Sequence, residues 1–267
     1  MRMKKLDTTW RDWIADGLRR GCRQADLRDV MASHGFESQY AEAAIDVVKS
    51  MPHHKADPIK IVDAPVIDVG DRQANVVMIM QDPNIAIIDN FLSPDECKQI
   101  IEMSGPSLAR STVANREQHT DDVSDIRTSD GTHFYRNQCP LIEVIDERIA
   151  RLTSIPATHG ESLQILRYNI DGKYEPHHDW FDPNDPSTPS RIASGGQRIA
   201  TVVLYLNDVE QGGDTAFPFL KLQIKPKTGR ALFFEYQNND ERCKHGGSPV
   251  KQGTKWIATK WLRISPL

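Results

Sequence analysis

ESLQILRYNIDGKYEPHHDWF, residues 161–181, marks a change of period in the chain. Upstream, apolar residues recur at helical spacing. Beyond residue 160 they fall into short β-branched and aromatic runs between Gly, Pro and Asp turns. LQILRYNI is followed by RIATVVLYL, GRALFFEY and KWIATKWLRI. Helices first and closely spaced strands afterwards predict an α+β, mainly β fold, a sheet sandwich or barrel backed by helices. No fixed-period repeat is evident.

The opening stretch also carries His177 and Asp179, which point to one face of an extended chain while His178 points to the other. A lone His-x-Asp triplet occurs by chance in many proteins. This one gains meaning from CKHGGSPVKQGTK, residues 243–255: His245 follows His177 by 68 residues, in a Gly-Gly turn, and Lys255 lies ten further on. Sheet pairing would bring that turn to the first pair. Two imidazoles and one carboxylate on one face of a metal leave the opposite positions open, the ligand set of non-haem Fe(II) oxygenases. A 2-oxo acid chelating such a metal needs a buried cation for its far carboxylate. Lys255 opens an alternating strand in which Lys255, Ile257, Thr259 and Trp261 share a face. A Lys among apolar neighbours is costly unless paired with an anion. The plainer alternative, an outward Lys at a strand start, is the usual fate of Lys and would prevail without the triad.

The rest of the chain bounds this reading. Its 267 residues suffice for one large domain or a domain with an appendage. With 39% hydrophobic and 26% charged residues it has the composition of a soluble globular protein. The net charge of −4 gives no electrostatic footprint for nucleic acid. No apolar run approaches the roughly 20 residues that span a bilayer, and MRMKKLDTTW lacks the apolar core of a signal peptide. Cys22, Cys97, Cys139 and Cys243 are scattered, so reduced thiols and a cytoplasmic location are expected.

Residues 1–50 read as a small helical bundle or cap, with Gly21 and Gly35 as helix ends. MPHHKADPIKIVDAP (51–65) reads as a linker and 66–267 as the main domain. NIAIIDNF (84–91) predicts a strand. SPDECKQIIEM predicts a helix with Ser93 as N-cap, Pro94 at N1 and Glu96 at N3. Residues 105–138 predict loop with short strands. PLIEVIDERIARL (140–152) predicts a helix burying Leu141, Ile145, Ile149 and Leu152. The polar stretch 182–196, with its three prolines, predicts a lid at the site's mouth or an ordinary disordered loop. His53 and His54 fall in the linker; His119, His133 and His159 have no ligand-like spacing, and Cys243, two residues before His245, is a candidate thiolate ligand.

From about residue 84 to 267 the chain resembles the prolyl 4-hydroxylase family of Fe(II)/2-oxoglutarate-dependent dioxygenases. The resemblance rests on ESLQILRYNIDGKYEPHHDWF, GGQRIATVVLYLNDVEQGGDTAFP, HGGSPVKQGTKWIATKWLR and, upstream, RTSDGTHF (127–134). It implies a double-stranded β-helix, or jelly roll. It implies His177, Asp179 and His245 as iron ligands and Lys255 on the C5 carboxylate of 2-oxoglutarate. Tyr168 and Thr215 would line the co-substrate pocket and Trp261 its wall, while Tyr174 and Arg198 match positions that contact a peptide. The plainer readings are core aromatics for Tyr168 and Trp261, a turn residue for Thr215, a solvated Arg198 and a Tyr174 packed on the lip. Because Asp179 is present, hydroxylation is favoured over halogenation. The implied reaction is hydroxylation of an unactivated C–H, foremost a prolyl residue in a peptide or protein, with release of succinate and CO2 and support from L-ascorbate (vitamin C). The alternatives are the same chemistry on a free amino acid or small metabolite, and a metal-bearing binding protein without catalysis. A nucleic-acid demethylase is disfavoured by the acidic balance, and no membrane partner is expected. A homodimer and a protein partner for the N-terminal helices stand open.

Overall fold

Apolar residues on both faces of its central strands let one long sheet build two cores. The computed structural model describes residues 6–50, 59–111, 113–115, 120–122, 126–182, 187–236 and 240–267. Three helices come first: α1 (Thr8–Arg19), α2 (Gln24–Ser33) and α3 (Ser38–Ser50). Next are strands β1 (Val66–Asp68), β2 (Gln73–Gln81) and β3 (Asn84–Asp89), then α4 (Pro94–Ser104). Short strands β4 (Ala109–Arg110), β5 (Val113–Asn115) and β6 (Thr120–Asp122) lead to β7 (Asp130–Phe134) and α5 (Pro140–Thr153). The site region holds β8 (Leu163–Tyr168), β9 (Tyr174–His177), α6 (Thr188–Ile192) and β10 (Arg198–Tyr205). It continues with β11 (Gln211–Gly212), β12 (Thr215–Phe217), β13 (Leu222–Ile224) and β14 (Ala231–Glu235). The last strands are β15 (His245–Gly247), β16 (Val250–Gln252) and β17 (Lys255–Arg263).

The large sheet runs β1-β2-β3-β14-β10-β17-β8-β7-β4, and a four-stranded sheet runs β13-β12-β15-β9, with antiparallel neighbours throughout. Ala86, Ile88, Ile165, Val202, Leu204 and Phe233 face one way, onto Ile100 of α4 and Ile142, Ile145 and Ile149 of α5. Their neighbours Ile85, Ile87, Leu166, Val203, Tyr205 and Phe234 face the other way, onto Phe217 and Ile224 of the small sheet. Two sheets thus close on one core and helices cover the outer face, as the jelly-roll expectation requires. This double burial explains why β10 and β14 read as continuous apolar runs instead of strict alternation.

The local signals are realised in detail. Glu96 N–H donates to Ser93 Oγ at 3.1 Å and Ser93 N–H to Glu96 Oε2 at 2.7 Å, completing a capping box at α4. α5 turns Ile142 into the core where Leu141 was expected, and Leu141 stays half-buried. The hairpin strand β2 extends the sheet beyond β3, although QANVVMIMQ had not been read as a strand.

Two connecting segments differ from expectation. Of the linker, residues 51–58, which include His53 and His54, lie outside the described residues, as does His119. Residues 59–65 are packed: Ile61 is buried in the main core, and Ile59 N–H donates to Glu235 Oε2 at 2.9 Å. Of the stretch 182–196, residues 183–186 lie outside the described residues, and the remainder is anchored to the fold. Ile192 of α6 is 1% exposed within the core of the N-terminal helices, beside Ile14, Leu27 and Met31, and Phe181 packs there too. Arg263 donates to the Arg191 and Ser194 carbonyls and ties down the far end. One apolar residue in a polar stretch, with a remote arginine, supplies the anchor. Among the described residues no helix is long and apolar enough to cross a membrane.

Candidate active site

β9 and β15 are adjacent antiparallel strands of the small sheet, with His245 directly opposite His177. His245 therefore sits in a strand, not in the expected Gly-Gly turn. A Cβ at Gly246 would lie 2.7 Å from the Tyr174 carbonyl, so glycine permits this close approach. Asp179 follows β9 and is 8% exposed. His177 Nε2 lies 3.4 Å from Asp179 Oδ1 and His245 Nε2 lies 3.6 Å from Asp179 Oδ2. The three donor atoms lie within 4.8 Å of one another.

The second nitrogens settle what these rings offer. His177 Nδ1 is 2.9 Å from the Glu175 carbonyl and His245 Nδ1 is 3.1 Å from the Cys243 carbonyl. Since a carbonyl only accepts, each Nδ1 carries a proton, which leaves Nε2 as the nitrogen that can offer a lone pair to a metal. Burial pushes His245 down to about 4, so its imidazole is neutral at neutral pH. Burial alone would raise Asp179, but the neighbouring imidazoles and the Arg198 guanidinium outweigh it and hold the carboxyl well below the usual range. Two imidazole Nε2 atoms, their rings oriented from behind by carbonyls, and one carboxylate fit a divalent iron.

The cavity that holds His177, Asp179 and His245 is also lined by Lys255, Tyr168, Thr215, Tyr174 and Trp261, so eight of the nine residues expected at the site line it. The expected shared face of β17 is realised: Lys255, Ile257, Thr259 and Trp261 all reach the cavity. Lys255 is 3% exposed, and no carboxylate lies within ion-pairing distance of it among the described residues. Burial lowers its pKa to about 8, with Asp214 pulling the other way. Its Nζ lies 5.6 Å from the Tyr168 ring centroid and 5.9 Å from that of Tyr205. The Tyr205 hydroxyl donates to Thr215 Oγ1 at 2.7 Å. Leu166, Val203 and Ile257 give the cavity an apolar wall. Tyr174 stacks on His177 with centroids 3.6 Å apart, neither solvated nor loose.

Arg198 is the exception. It does not line the cavity. Its guanidinium makes two 2.7 Å bonds to Glu161 and lies 3.9 Å from the Trp261 ring centroid. The side chain is therefore neither a cavity donor nor solvated; it backs the Trp261 wall. Conversely, Arg127 lines the cavity, 8% exposed, 5.1 Å from the Tyr174 ring centroid and 2.8 Å from Gln164 Oε1. Its stretch RTSDGTHF had been recognised, but nothing local separates this arginine from a surface one. Thr201 and Tyr236, which stand behind Asp179, lie inside apolar runs that carry no polar signal. His178 turns away toward Glu241, 3.4 Å off. His159 bonds the Arg263 carbonyl and His133 packs on Tyr135. Cys243 is buried beside the site; its thiol is pushed up to about 12 by burial and bonds the Glu235 carbonyl.

Residues 163–263 match the sequence model of the 2OG-Fe(II) oxygenase superfamily. Probable prolyl 4-hydroxylase 10 of Arabidopsis thaliana is 40% identical over 212 residues, covering 71% of this chain and 72% of that protein. The chain belongs to the prolyl 4-hydroxylase family. A second member, prolyl 4-hydroxylase 5 of the same plant, is 36% identical over 222 residues, 73% of this chain and 75% of its own. Among solved structures, the 2OG complex of a viral collagen prolyl hydroxylase from Paramecium bursaria Chlorella virus-1 aligns with a TM-score of 0.53 at 30% identity, over 67% of this chain and 95% of that one. As a member of this family the chain is a dioxygenase dependent on Fe(II) and 2-oxoglutarate, and the donor set at His177, Asp179 and His245 suits the metal.

Proposed function

We propose that this chain hydroxylates a prolyl residue of a peptide or protein, releasing succinate and CO2. The observation that carries the reading is Lys255, a buried cation without a counter-ion among the described residues, in the cavity of the three candidate metal donors. His177, Asp179 and His245 would hold an iron ion, which would supply the site for oxidation of a 2-oxo acid by O2. Lys255 then pairs with the distal carboxylate of 2-oxoglutarate. Tyr168 and Thr215 flank that carboxylate, and Leu166, Val203 and Ile257 cover the methylenes and exclude water.

Substrate contacts are assigned to Tyr174, Arg127 and Trp261. Two buried N–H groups there, Trp261 Nε1 and Arg127 Nε, have no hydrogen-bond partner among the described residues. Such donors suit the carbonyls of a peptide backbone. Arg198 serves by holding Trp261 in place. The N-terminal helices are read as a cap on the main domain, since they bury Ile192 and Phe181; cytoplasmic location remains the working expectation.

The test is succinate formation by purified protein with Fe(II), 2-oxoglutarate and ascorbate, with and without proline-rich peptides. Peptide-stimulated turnover that disappears in His245→Ala is expected. Turnover that no peptide stimulates would move the substrate to a free amino acid or metabolite. Metal binding without any turnover would favour a binding protein.

A further inference from the structure

Two buried hydroxyls stand behind the metal-ligand carboxylate. Thr201 is 0% exposed on β10, and its Oγ donates to Asp179 Oδ2 at 2.7 Å. The hydroxyl of Tyr236, itself 4% exposed, lies 3.1 Å from the same Thr201 oxygen. A hydroxyl carries one proton. Thr201 Oγ–H is the donor in its bond to Asp179 Oδ2, so the Thr201 proton is committed to that carboxylate. The Tyr236 proton must then point at Thr201. The result is a one-way chain, Tyr236 O–H to Thr201 O–H to Asp179 Oδ2, ending in a charge-assisted bond.

We infer that Thr201, aimed by Tyr236, is a positioning residue that occupies Asp179 Oδ2 and leaves Oδ1 to the metal. This rests on reading His177, Asp179 and His245 as the ligand set. The consequence concerns how many positions remain. A carboxylate binding through both oxygens takes four positions together with the two imidazoles. A carboxylate held at Oδ2 by Thr201 takes one, leaving room for a chelating 2-oxo acid and O2 together. Thr201 therefore governs metal affinity and, beyond it, the affinity for 2-oxoglutarate.

The experiment titrates Co(II) into metal-free protein, then 2-oxoglutarate into the Co(II) form, by calorimetry. Wild type is compared with Thr201→Val, Thr201→Ser, Tyr236→Phe and His177→Ala. Thr201→Val keeps the shape and removes the donor, and should weaken Co(II) about 10–100-fold, in the range of lost partners behind metal ligands. It should also weaken 2-oxoglutarate binding at saturating Co(II). Thr201→Ser, which restores a hydroxyl, should recover wild-type affinity to within about 3-fold. Tyr236→Phe should lose roughly 3–10-fold, and it carries the test if Thr201→Val does not fold. Unchanged Co(II) and 2-oxoglutarate affinity in Thr201→Val or Tyr236→Phe, or a Thr201→Ser variant no better than Thr201→Val, would overturn the inference alone. Undiminished Co(II) binding in His177→Ala would overturn the ligand set and the inference with it.

Discussion

Lys255 and Lys260 lie five residues apart on β17, on opposite faces of the large sheet, and both are buried, at 3% and 1% exposure. Lys260 faces the helices, and its Nζ lies 2.7 Å from Asp146 of α5, itself 3% exposed. Burial pushes Asp146 up and Lys260 down, each partly offset by the other's charge. Lys255 faces the cavity and has no such partner. One buried cation is neutralised by the chain itself; the other has no carboxylate within ion-pairing distance among the described residues. A buried, paired charge is thus a structural fact, whereas a buried, unpaired charge beside a metal-ligand set is a functional one.

The strongest way to break this contrast is to remove Lys260. Lys260→Met strands Asp146 in the core and should cost about 3–5 kcal/mol of folding stability. Denaturant unfolding checks it, and 2-oxoglutarate affinity should stay at the wild-type value. Lys255→Met should do the reverse. Losing the partner of a buried charge should weaken 2-oxoglutarate binding by at least about 30-fold, while the stability of the ligand-free protein holds or rises. Equal loss of stability in both variants would dissolve the distinction.

The two lysines also differ in what pH should do. The folded pKa of Lys255, about 8, lies below its ordinary 10.5. The unfolded chain therefore holds the proton more tightly. Its destabilising contribution is complete below about 8 and is relieved as pH rises from there toward 10.5. Binding of 2-oxoglutarate needs the charged form. Its affinity should be flat below about 8 and fall about tenfold per pH unit above it, measured on a metal-loaded protein. Lys255→Met should abolish that dependence. The smallest effect should be that of the double variant Asp146→Leu/Lys260→Met. Replacing a whole buried pair by apolar side chains is often close to neutral, so it should recover most of the stability that Lys260→Met loses.

What the sequence disclosed follows the same logic. The alternation of β17 put Lys255, Ile257, Thr259 and Trp261 on one face, and the spacing of His177 and Asp179 did likewise, because period two is a property of the chain alone. The Ser93–Glu96 capping box was equally local. The pairing of Arg198 with Glu161 was not legible because the two stand 37 residues apart and no pattern links them. Thr201 and Tyr236 were hidden inside continuous apolar runs. The stretch 182–196 looked loose because its anchors, Ile192 against α1–α3 and the Arg263 guanidinium, act across the fold. Leu141 yielded to Ile142 because two adjacent apolar residues leave the centre of a helix face undecided by periodicity.

The central claim is that the unpaired Lys255 and the three metal donors form one co-substrate site. Its most direct test is an anaerobic crystal structure with Mn(II) and 2-oxoglutarate. The account predicts a metal held by His177, Asp179 and His245 and a carboxylate of 2-oxoglutarate within hydrogen-bond distance of Lys255 Nζ. A 2-oxoglutarate bound away from Lys255, or a metal held by other side chains, would contradict it.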